Sequence, residues 1–288
     1  MGTLKRTAWC ALALLCLLLP TRVHALEPGA QFSYDTNRES VDAFFGAFTW
    51  SVPIEVPAFH GLEPRVAITY ASASRHNGQE GVGGGLSGWS TIERASVGKG
   101  TPKYAAGDIY LLDGVELVAS TALGGTHATK TQSFRRITLS GANWLVWERD
   151  GTKSTYTPMF TVGSNTYRWG LSSVVDTFGN TVTYSWTCTG GDCYPNQITY
   201  DGYSVVATWA TRTDQPTFAT GGTALGKTVN RLSTIQVKAG TTLIRKYTVT
   251  YGATASTAQS VMTKVQQAGK DGTTTLPGTT FGWPTEWE

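Results

Sequence analysis

The sequence predicts an all-β protein, built either as an antiparallel, hairpin-rich sandwich or as a meandering sheet. Three observations predict this fold class. Apolar and polar residues alternate in runs such as Arg65–Ser72 and Arg231–Ala239, which is the period of half-buried strands. Asp-Gly pairs, which favour tight hairpin turns, recur between such runs. After Ala25, no long segment has the spacing of an amphipathic helix.

The N-terminal residues have the features of a secretory signal. Two basic residues precede an apolar run from Ala8 to Leu19, and small residues at Val23 and Ala25 stand where a signal peptidase reads. We therefore expect residues 1–25 to be a signal peptide and the chain to be exported to the periplasm, the cell surface or the medium. A membrane anchor is the alternative, but the apolar run is short for a spanning helix. We expect no stable membrane insertion after the signal is removed.

Charge gives no indication of an anionic partner. The chain has 23 Lys and Arg against 20 Asp and Glu, a net charge of +3. The excess lies in the signal, at Lys5, Arg6 and Arg22, so the exported part is electrically balanced. A nucleic-acid partner is therefore not expected. No charge run or low-complexity linker divides this part, so residues 26–48 are expected to form a lead-in segment and residues 49–288 one β domain.

Cys188 and Cys193 are the two cysteines that remain after the signal, in the stretch CTGGDC. An exported chain meets an oxidising compartment, and two glycines between the cysteines permit a tight loop. We expect a local disulfide between them. A metal or redox pair is the alternative, but the C-x-x-C spacing and a second Cys/His pair are both missing.

The segments between the signal and the C-terminus follow a strand-and-turn order. Glu39–Trp50 has room for one or two helical turns before the first strand. Hairpin turns of type I′ are expected at four Asp-Gly pairs, and further turns near Gly179 and Gly240. These pairs are Asp113-Gly114, Asp150-Gly151, Asp201-Gly202 and Asp271-Gly272. The segment from Thr211 to Thr228 is rich in Thr, Gly and Pro and is expected to be an exposed loop.

Two glycine-rich stretches match the consensus sequences of nucleotide-binding motifs but lack the helix that such motifs require. GVGGGLSGW contains G-x-G-x-x-G at Gly83, Gly85 and Gly88, but the sequence after it has no helical period. We expect these glycines to provide positive φ angles and close backbone approach between sheet edges. GGTALGKT, which runs from Gly221 to Thr228, matches G-x-x-x-x-G-K-T, but period-2 sequence follows it. No nucleotide, cofactor or metal is expected.

Catalytic and binding signals are weak. Ser87 lacks the second glycine of a nucleophile elbow. None of His60, His76 and His127 has a partner at metal-ligand spacing, and we expect all three in surface or turn positions. Carboxylates and tryptophans suit a carbohydrate-binding module or a glycoside hydrolase as an alternative function. The acids are Asp108, Asp113, Glu116, Glu148, Asp150 and Asp176, and the tryptophans are Trp144, Trp147, Trp186 and Trp209. A surface adhesin is a third interpretation.

An ordered set of motifs resembles the SpvB-type domain, found at the N-terminus of the B components of insecticidal toxin complexes and of the Salmonella plasmid virulence protein. The stretch WSVPIEVPAFHGLEPRVAITYAS, from Trp50 to Ser72, resembles the opening of that domain. The glycine loop, DIYLLDGVELV and YRWGLSSVVDTFGNTVTYSW continue the resemblance over nearly the whole exported chain. Gly84 stands where the family usually has Trp, and Trp89 is expected to fill part of that space.

The resemblance implies a structural role. In larger relatives such domains precede FG-GAP and RHS repeats that enclose a toxic C-terminus. We therefore expect a secreted, non-enzymatic domain of a toxin-complex shell, with no catalytic residues, which docks to an RHS or FG-GAP type β polypeptide through its sheet edges and faces.

Overall fold

A computed structural model describes residues 39–222 and 224–283 of the chain. In this part the chain is almost entirely β-strand, with one 3-10 turn at Ala122–Gly124 and no α-helix. No helix among these residues is long and apolar enough to span a bilayer. The predicted all-β class is therefore confirmed, while the predicted signal peptide lies outside the described residues.

Residues 39–222 and 224–283 form 23 strands. The N-terminal group is β1 (Glu39–Val41), β2 (Phe48–Pro53), β3 (Ala67–Ala71), β4 (Asn77–Gly78), β5 (Gly81–Val82) and β6 (Gly84–Ser87). The middle group is β7 (Thr91–Ala95), β8 (Ile109–Leu112), β9 (Val115–Ala119), β10 (His127–Thr129), β11 (Arg136–Ser140), β12 (Asn143–Trp147), β13 (Lys153–Val162) and β14 (Asn165–Val175). The C-terminal group is β15 (Thr181–Thr189), β16 (Asp192–Tyr200), β17 (Tyr203–Thr211), β18 (Thr217–Gly221), β19 (Ala224–Lys227), β20 (Asn230–Ala239), β21 (Thr242–Ala253), β22 (Ser260–Ala268) and β23 (Thr279–Thr280).

Strands β7 to β14 close into an antiparallel barrel. Each pairs with the next, and β14 then pairs with β7 through three residue pairs, from Arg168↔Glu93 to Gly170↔Thr91. Closure removes the sheet edges that would otherwise be free to pair with other chains. Ile92, Ile137 and Trp144 are completely buried inside this barrel. Full burial of such a side chain contributes about 1.5–3 kcal/mol.

The barrel continues into an open sheet because β14 belongs to both. Beyond the residues that pair with β7, Ser173–Val175 of the same strand pair with Thr181–Thr183 of β15. The sheet then runs through β16, β17, β20, β21, β22 and β23 as successive antiparallel neighbours. This part is the meandering sheet that the hairpin pattern predicts.

A four-stranded sheet, in the order β1-β2-β3-β6, packs against the open sheet. One buried cluster joins Trp50 and Ile68 of the small sheet with Ile198, Val205 and Ile235 of the large one. The two layers form a sandwich beside the barrel. β4 and β5 pair only with each other, as do β18 and β19.

The hairpin turns match the prediction in part. At Asp113-Gly114 and Asp201-Gly202 both residues have positive φ, and each pair links two strands as a two-residue turn. At the Asp150 and Asp271 pairs only the glycine has positive φ. The type I′ prediction is wrong there because the longer Glu148–Thr152 and Gly269–Thr274 connections do not place the aspartate at positive φ.

Two local predictions are wrong. Glu39–Trp50 forms the β1–β2 hairpin rather than helical turns, since Asp42 accepts the backbone N–H groups of Phe44 and Phe45 and closes a tight turn. The segment from Thr211 to Thr228 is not a fully exposed loop. Arg212 and Thr220 within it are 1% exposed, and much of the segment forms the β18–β19 hairpin.

Candidate functional site

A cavity of about 460 Å³ lies where the barrel, the open sheet, the β18–β19 hairpin and the glycine-rich segment 77–89, here called the glycine loop, meet. We call it the central cavity. Gln79 and Glu80 reach it from the glycine loop, Glu93 from β7, Arg168 from β14 and Asp192 from β16. Its apolar lining includes Leu86, Trp89, Met159, Trp186 and Phe218.

Arg168 occupies the centre of an ion-pair cluster in this cavity. Its Nε and Nη2 atoms lie 2.9 and 2.8 Å from Oε2 of Glu93, and its Nη1 lies 3.0 Å from Oδ1 of Asp192. The Tyr167 hydroxyl donates to the other oxygen of Glu93 at 2.8 Å. Burial acts to lower the pKa of Arg168, but the two carboxylates outweigh it and the pKa is raised. The guanidinium therefore stays charged and joins the barrel to the open sheet.

Asp192 connects three further elements. Its Oδ1 accepts the backbone N–H of Cys193, and its Oδ2 accepts Gln79 Nε2 and Thr228 Oγ1, both at 2.9 Å. Thr228 is the last residue of the GGTALGKT stretch, which forms part of a β-hairpin and has no helix behind it. The Thr228 hydroxyl therefore donates its hydrogen bond to the buried carboxylate of Asp192.

Arg212 holds the glycine loop from the other side. Its side chain is completely buried and pairs with Asp214 through Nε–Oδ1 at 2.8 Å and Nη2–Oδ2 at 2.7 Å. The same guanidinium donates to Asn77 Oδ1 and to the Gly78 carbonyl oxygen. Asp214 also accepts the backbone N–H of Ser260 at 2.6 Å. Burial acts to raise the pKa of Asp214, but these donors hold it far below its ordinary value.

Gly81 illustrates why the loop is glycine-rich. It has a φ of +82°, and a Cβ at this position would lie 2.6 Å from the Ser260 carbonyl oxygen of β22. Only glycine fits such a conformation at such close range. The prediction is confirmed in part: Gly81, Gly83 and Gly88 have positive φ, whereas Gly84 and Gly85 do not and serve only close approach.

Glu80 is the one loop carboxylate without a salt-bridge partner in the described part of the chain. It is 8% exposed, lines the central cavity, and has no Lys, Arg or His nitrogen within 4.0 Å among residues 39–222 and 224–283. Burial, reinforced by the charge of Asp192, raises its pKa to about 7, while its own backbone N–H and Arg212 oppose the shift.

Two neighbouring polar groups are buried without hydrogen-bond partners. These are the indole N–H of Trp89, which lines the cavity, and the hydroxyl of Tyr251, whose pKa is raised by burial and by the charge of Glu80. Buried polar groups without partners are uncommon in folded proteins and call for an explanation. Trp89 lines the same cavity as Glu80, whose carboxyl has no salt-bridge partner among the described residues.

The predicted cysteine pair forms a disulfide between Cys188 and Cys193, which face each other across the β15–β16 hairpin. Cys193 lines the central cavity next to Asp192. The bond therefore fixes the hairpin that delivers Asp192 to the Arg168 cluster.

The three histidines lie apart from one another in the sequence and in their surroundings. His60 occupies a turn with positive φ and is exposed, and His76 is exposed at the mouth of the cavity. His127 is not a surface or turn residue as predicted. It lies half-buried in β10 against Tyr110 and Trp144, and burial lowers its pKa. No group of three or more His, Cys, Asp or Glu within residues 39–222 and 224–283 is arranged to hold a metal ion.

The six acids considered for glycoside hydrolysis serve the fold individually. Three pair with cations on neighbouring strands or loops, and three accept hydrogen bonds from nearby residues at turns. The ion pairs are Asp108 with Arg94, Glu116 with Lys130 and Glu148 with Arg135. The acids that accept hydrogen bonds at turns are Asp113, Asp150 and Asp176. Sequence reasoning named these six acids and did not name Glu80, Glu93, Asp192 or Asp214, which lie in or beside the central cavity.

The four tryptophans considered as sugar platforms are packed against the protein. Trp144 is completely buried in the barrel, and Arg136 stacks over Trp147 at 3.7 Å. Trp186 and Trp209 donate their indole N–H groups to the carbonyl oxygens of Leu171 and Pro195. All four are buried or half-buried, and Trp186 and Trp209 pack against the main core, so the carbohydrate interpretation is not favoured.

A second surface feature lies on the four-stranded sheet. Phe44 and Phe45 are 87% and 78% exposed at the tip of the β1–β2 hairpin, with their rings edge to face at 4.7 Å. Val41 next to them is also exposed. Strand β1 is the edge of this sheet, and no other described strand pairs with its outer side. We call these residues the aromatic tip.

Comparisons with known proteins agree with the architecture. Residues 42–148 match the family model described as SpvB, the Salmonella virulence plasmid 65kDa B protein. No curated protein matches the chain. Among solved structures, the N-terminal domain of effector protein SpvB from Salmonella typhimurium strain LT2 has a TM-score of 0.63 at 16% identity, covering 76% of this chain and 98% of that one.

Two larger assemblies share the fold. The crystal structure of TcdB2-TccC3 matches with a TM-score of 0.65 at 18% identity, covering 83% of this chain but only 16% of that one. The Tc holotoxin pore of Photorhabdus luminescens gives 0.66 at 18% identity, covering 81% and 15%. The chain thus spans a small part of these relatives. The resemblance to the SpvB-type domain is confirmed, by the family model over residues 42–148 and by the fold over most of the chain.

Proposed function

We propose that this chain is a secreted, non-enzymatic structural domain of an SpvB or toxin-complex type shell, which docks to a β-rich polypeptide of the RHS or FG-GAP kind. The observation that carries the docking is the aromatic tip. Exposed aromatic side chains are enriched at the centres of protein interfaces. Here two of them lie on a turn that Asp42 holds closed, beside a strand edge that no other described strand pairs with.

Edge strands are templates for adding another strand. Glu39–Val41 of β1 is exposed along its length, so its outer side presents backbone N–H and C=O groups to a partner. The neighbouring phenylalanines supply apolar area for the same contact. A partner built of β-hairpins satisfies both requirements by extending the four-stranded sheet and covering the rings.

A non-catalytic role agrees with the chemistry of the central cavity. Glu93 and Asp192 accept hydrogen bonds from side chains and backbone of this chain and share the charge of Arg168. Carboxylates engaged in this way are poorly placed to transfer protons to a substrate. The cluster instead holds the barrel, the sheet and the glycine loop together.

The docking is tested by a pull-down between this chain and an FG-GAP and RHS repeat polypeptide from the same genome. We expect a complex at micromolar concentration. Replacement of Phe44 and Phe45 by Ser should weaken it at least about tenfold, as loss of aromatic interface residues does. Phe178→Ser is the matched control, because Phe178 is 91% exposed on a different hairpin. Absence of a complex, or equal effects of the two changes, would contradict the proposal.

A further inference from the structure

Two features of the central cavity point to a ligand: the unpartnered indole N–H of Trp89, and the buried carboxyl of Glu80, which has no salt-bridge partner among the described residues. We propose that the cavity binds a basic side chain, an arginine or lysine residue within a peptide, with Glu80 as its counter-ion and the indole N–H of Trp89 donating to a peptide carbonyl oxygen. This site is distinct from the aromatic tip and does not depend on it.

The charge of the cavity favours a cation. Glu93, Asp192 and Arg168 neutralise one another only in part, since two carboxylates face one guanidinium. Glu80 adds a further acid. The nearest stabilising cation, Arg212, is paired with Asp214 and does not line the cavity. A buried carboxylate gains most from a partner of opposite charge that arrives with good geometry.

The apolar lining fits the rest of such a side chain. Lys and Arg carry an aliphatic stem that packs on apolar surface while the charged head makes its polar contacts. Leu86, Trp186 and Phe218 line the cavity beside the polar groups and provide that surface. The volume of about 460 Å³ is large enough for one long side chain.

Trp89 narrows the choice of ligand. Its N–H is a donor only, so a bare ammonium ion cannot satisfy it. It is 8% exposed and has no acceptor in the described chain. A ligand that places a carbonyl oxygen near a cationic group satisfies Trp89 and Glu80 together. An arginine or lysine residue in a peptide has this combination.

The test is calorimetric titration of the full chain with N-acetyl-arginine amide. Its neutral isostere, N-acetyl-citrulline amide, is the matched ligand. We expect measurable binding of the arginine compound below about 10 mM and at least about tenfold weaker binding of the citrulline compound. Equal binding of both compounds, or no heat with either, would overturn the proposal. N-acetyl-lysine amide tests whether a guanidinium or an ammonium group is preferred.

Variants locate the site. Glu80→Gln should weaken binding about tenfold or more, whereas Glu116→Gln, on the barrel strand β9 and paired with Lys130, should leave it unchanged. Trp89→Phe keeps an aromatic ring but removes the N–H, and should weaken binding several-fold. If Glu80→Gln retains full affinity, the assignment is wrong. The citrulline comparison uses the wild-type chain, so it remains decisive even if a variant fails to fold.

The pH profile provides a readout that packing alone would not change. Glu80 faces Asp192, Arg212 and Tyr251, and its pKa is raised to about 7 by burial. Affinity should therefore fall as the pH decreases through neutrality and Glu80 is protonated. Glu80→Gln should abolish the pH dependence, and a dependence that persists in this variant would contradict the role of Glu80.

Discussion

Arg168 and Glu93 stand directly opposite each other on the two strands that close the barrel, and the same guanidinium reaches Asp192 in the open sheet. Closure between β7 and β14 rests on three residue pairs, and the Arg168–Glu93 pair is one of them. The ion-pair cluster therefore lies at the one place where barrel and sheet share a strand. Its loss should affect both parts together.

The first prediction concerns that cluster. Arg168→Met should lower the free energy of unfolding by about 3–5 kcal/mol, because it leaves two largely buried carboxylates without their cation. Urea denaturation measures the change. Arg135→Met is the matched control, since Arg135 and Glu148 form a pair whose side chains are 39% and 38% exposed. That exposed pair should contribute about 1 kcal/mol or less. Equal losses of unfolding free energy in the two variants would show that the buried Arg168 cluster contributes no more to stability than the exposed pair.

The second prediction concerns the pH dependence of stability through Glu80. Its pKa is raised from 4.5 to about 7 by burial. The folded chain therefore binds more protons than the unfolded chain between these values, and stability falls as the pH rises through this range. At about one pKa unit above neutrality the penalty amounts to about 3 kcal/mol.

Glu80→Gln removes this titration. The variant should be more stable than the wild type near pH 8, and the advantage should shrink toward pH 5, where Glu80 is protonated in the folded state. Thermal unfolding of both chains at each pH measures the difference, so other titrating groups cancel. For Glu116→Gln, the difference in stability from the wild type should not shrink in this way between pH 8 and pH 5. A difference that stays constant with pH would mean that Glu80 does not titrate in this range.

The strands and several turns were predictable because they depend on local sequence. Alternation in Arg231–Ala239 corresponds to β20, and the Asp113 and Asp201 turns follow from the need of type I′ turns for positive φ at both residues. The lack of a helical period after Gly88 likewise predicted that no helix begins there, and strand β7 follows instead. These features are encoded within a few residues of where they occur.

The barrel and the central cavity were not predictable, because they depend on contacts between distant residues. The Arg168–Glu93 pair joins positions 75 residues apart, and nothing near either residue identifies the other. Arg212 lies in a stretch with the composition of an exposed loop, yet it is completely buried because Asp214, two residues on, neutralises it. Composition gives no sign of such a pair when both members stand in polar sequence.

The third prediction concerns the disulfide between Cys188 and Cys193. Replacing both by Ala should lower the free energy of unfolding by about 2 kcal/mol, the value for a short closed loop. Ala suits the position because Cys193 is 1% exposed, and a serine hydroxyl would need a buried partner. Reducing agent should lower the stability of the wild type by a similar amount and leave the variant unchanged. A wild type that is insensitive to reduction would contradict a stabilising bond.

The last prediction separates backbone strain from steric overlap in the glycine loop. Gly81 and Gly98 have nearly the same φ, +82° and +81°, but only at Gly81 would a Cβ meet other atoms, with the Ser260 carbonyl oxygen at 2.6 Å. Gly98→Ala should therefore cost only the strain of a left-handed alanine, about 1–2 kcal/mol. Gly81→Ala should cost about 1–3 kcal/mol more, because a backbone oxygen cannot move aside as a side chain does.

Urea denaturation of the two alanine variants gives the difference directly. The contact with Ser260 also fixes the loop that carries Gln79 and Glu80 into the central cavity, so Gly81→Ala should change the near-ultraviolet circular dichroism of Trp89 and its neighbours, and Gly98→Ala should not. If both variants lose the same stability, the loop and β22 separate at little cost. The glycines would then be required for their φ angles alone, and the close approach of the loop to the open sheet would not constrain the cavity.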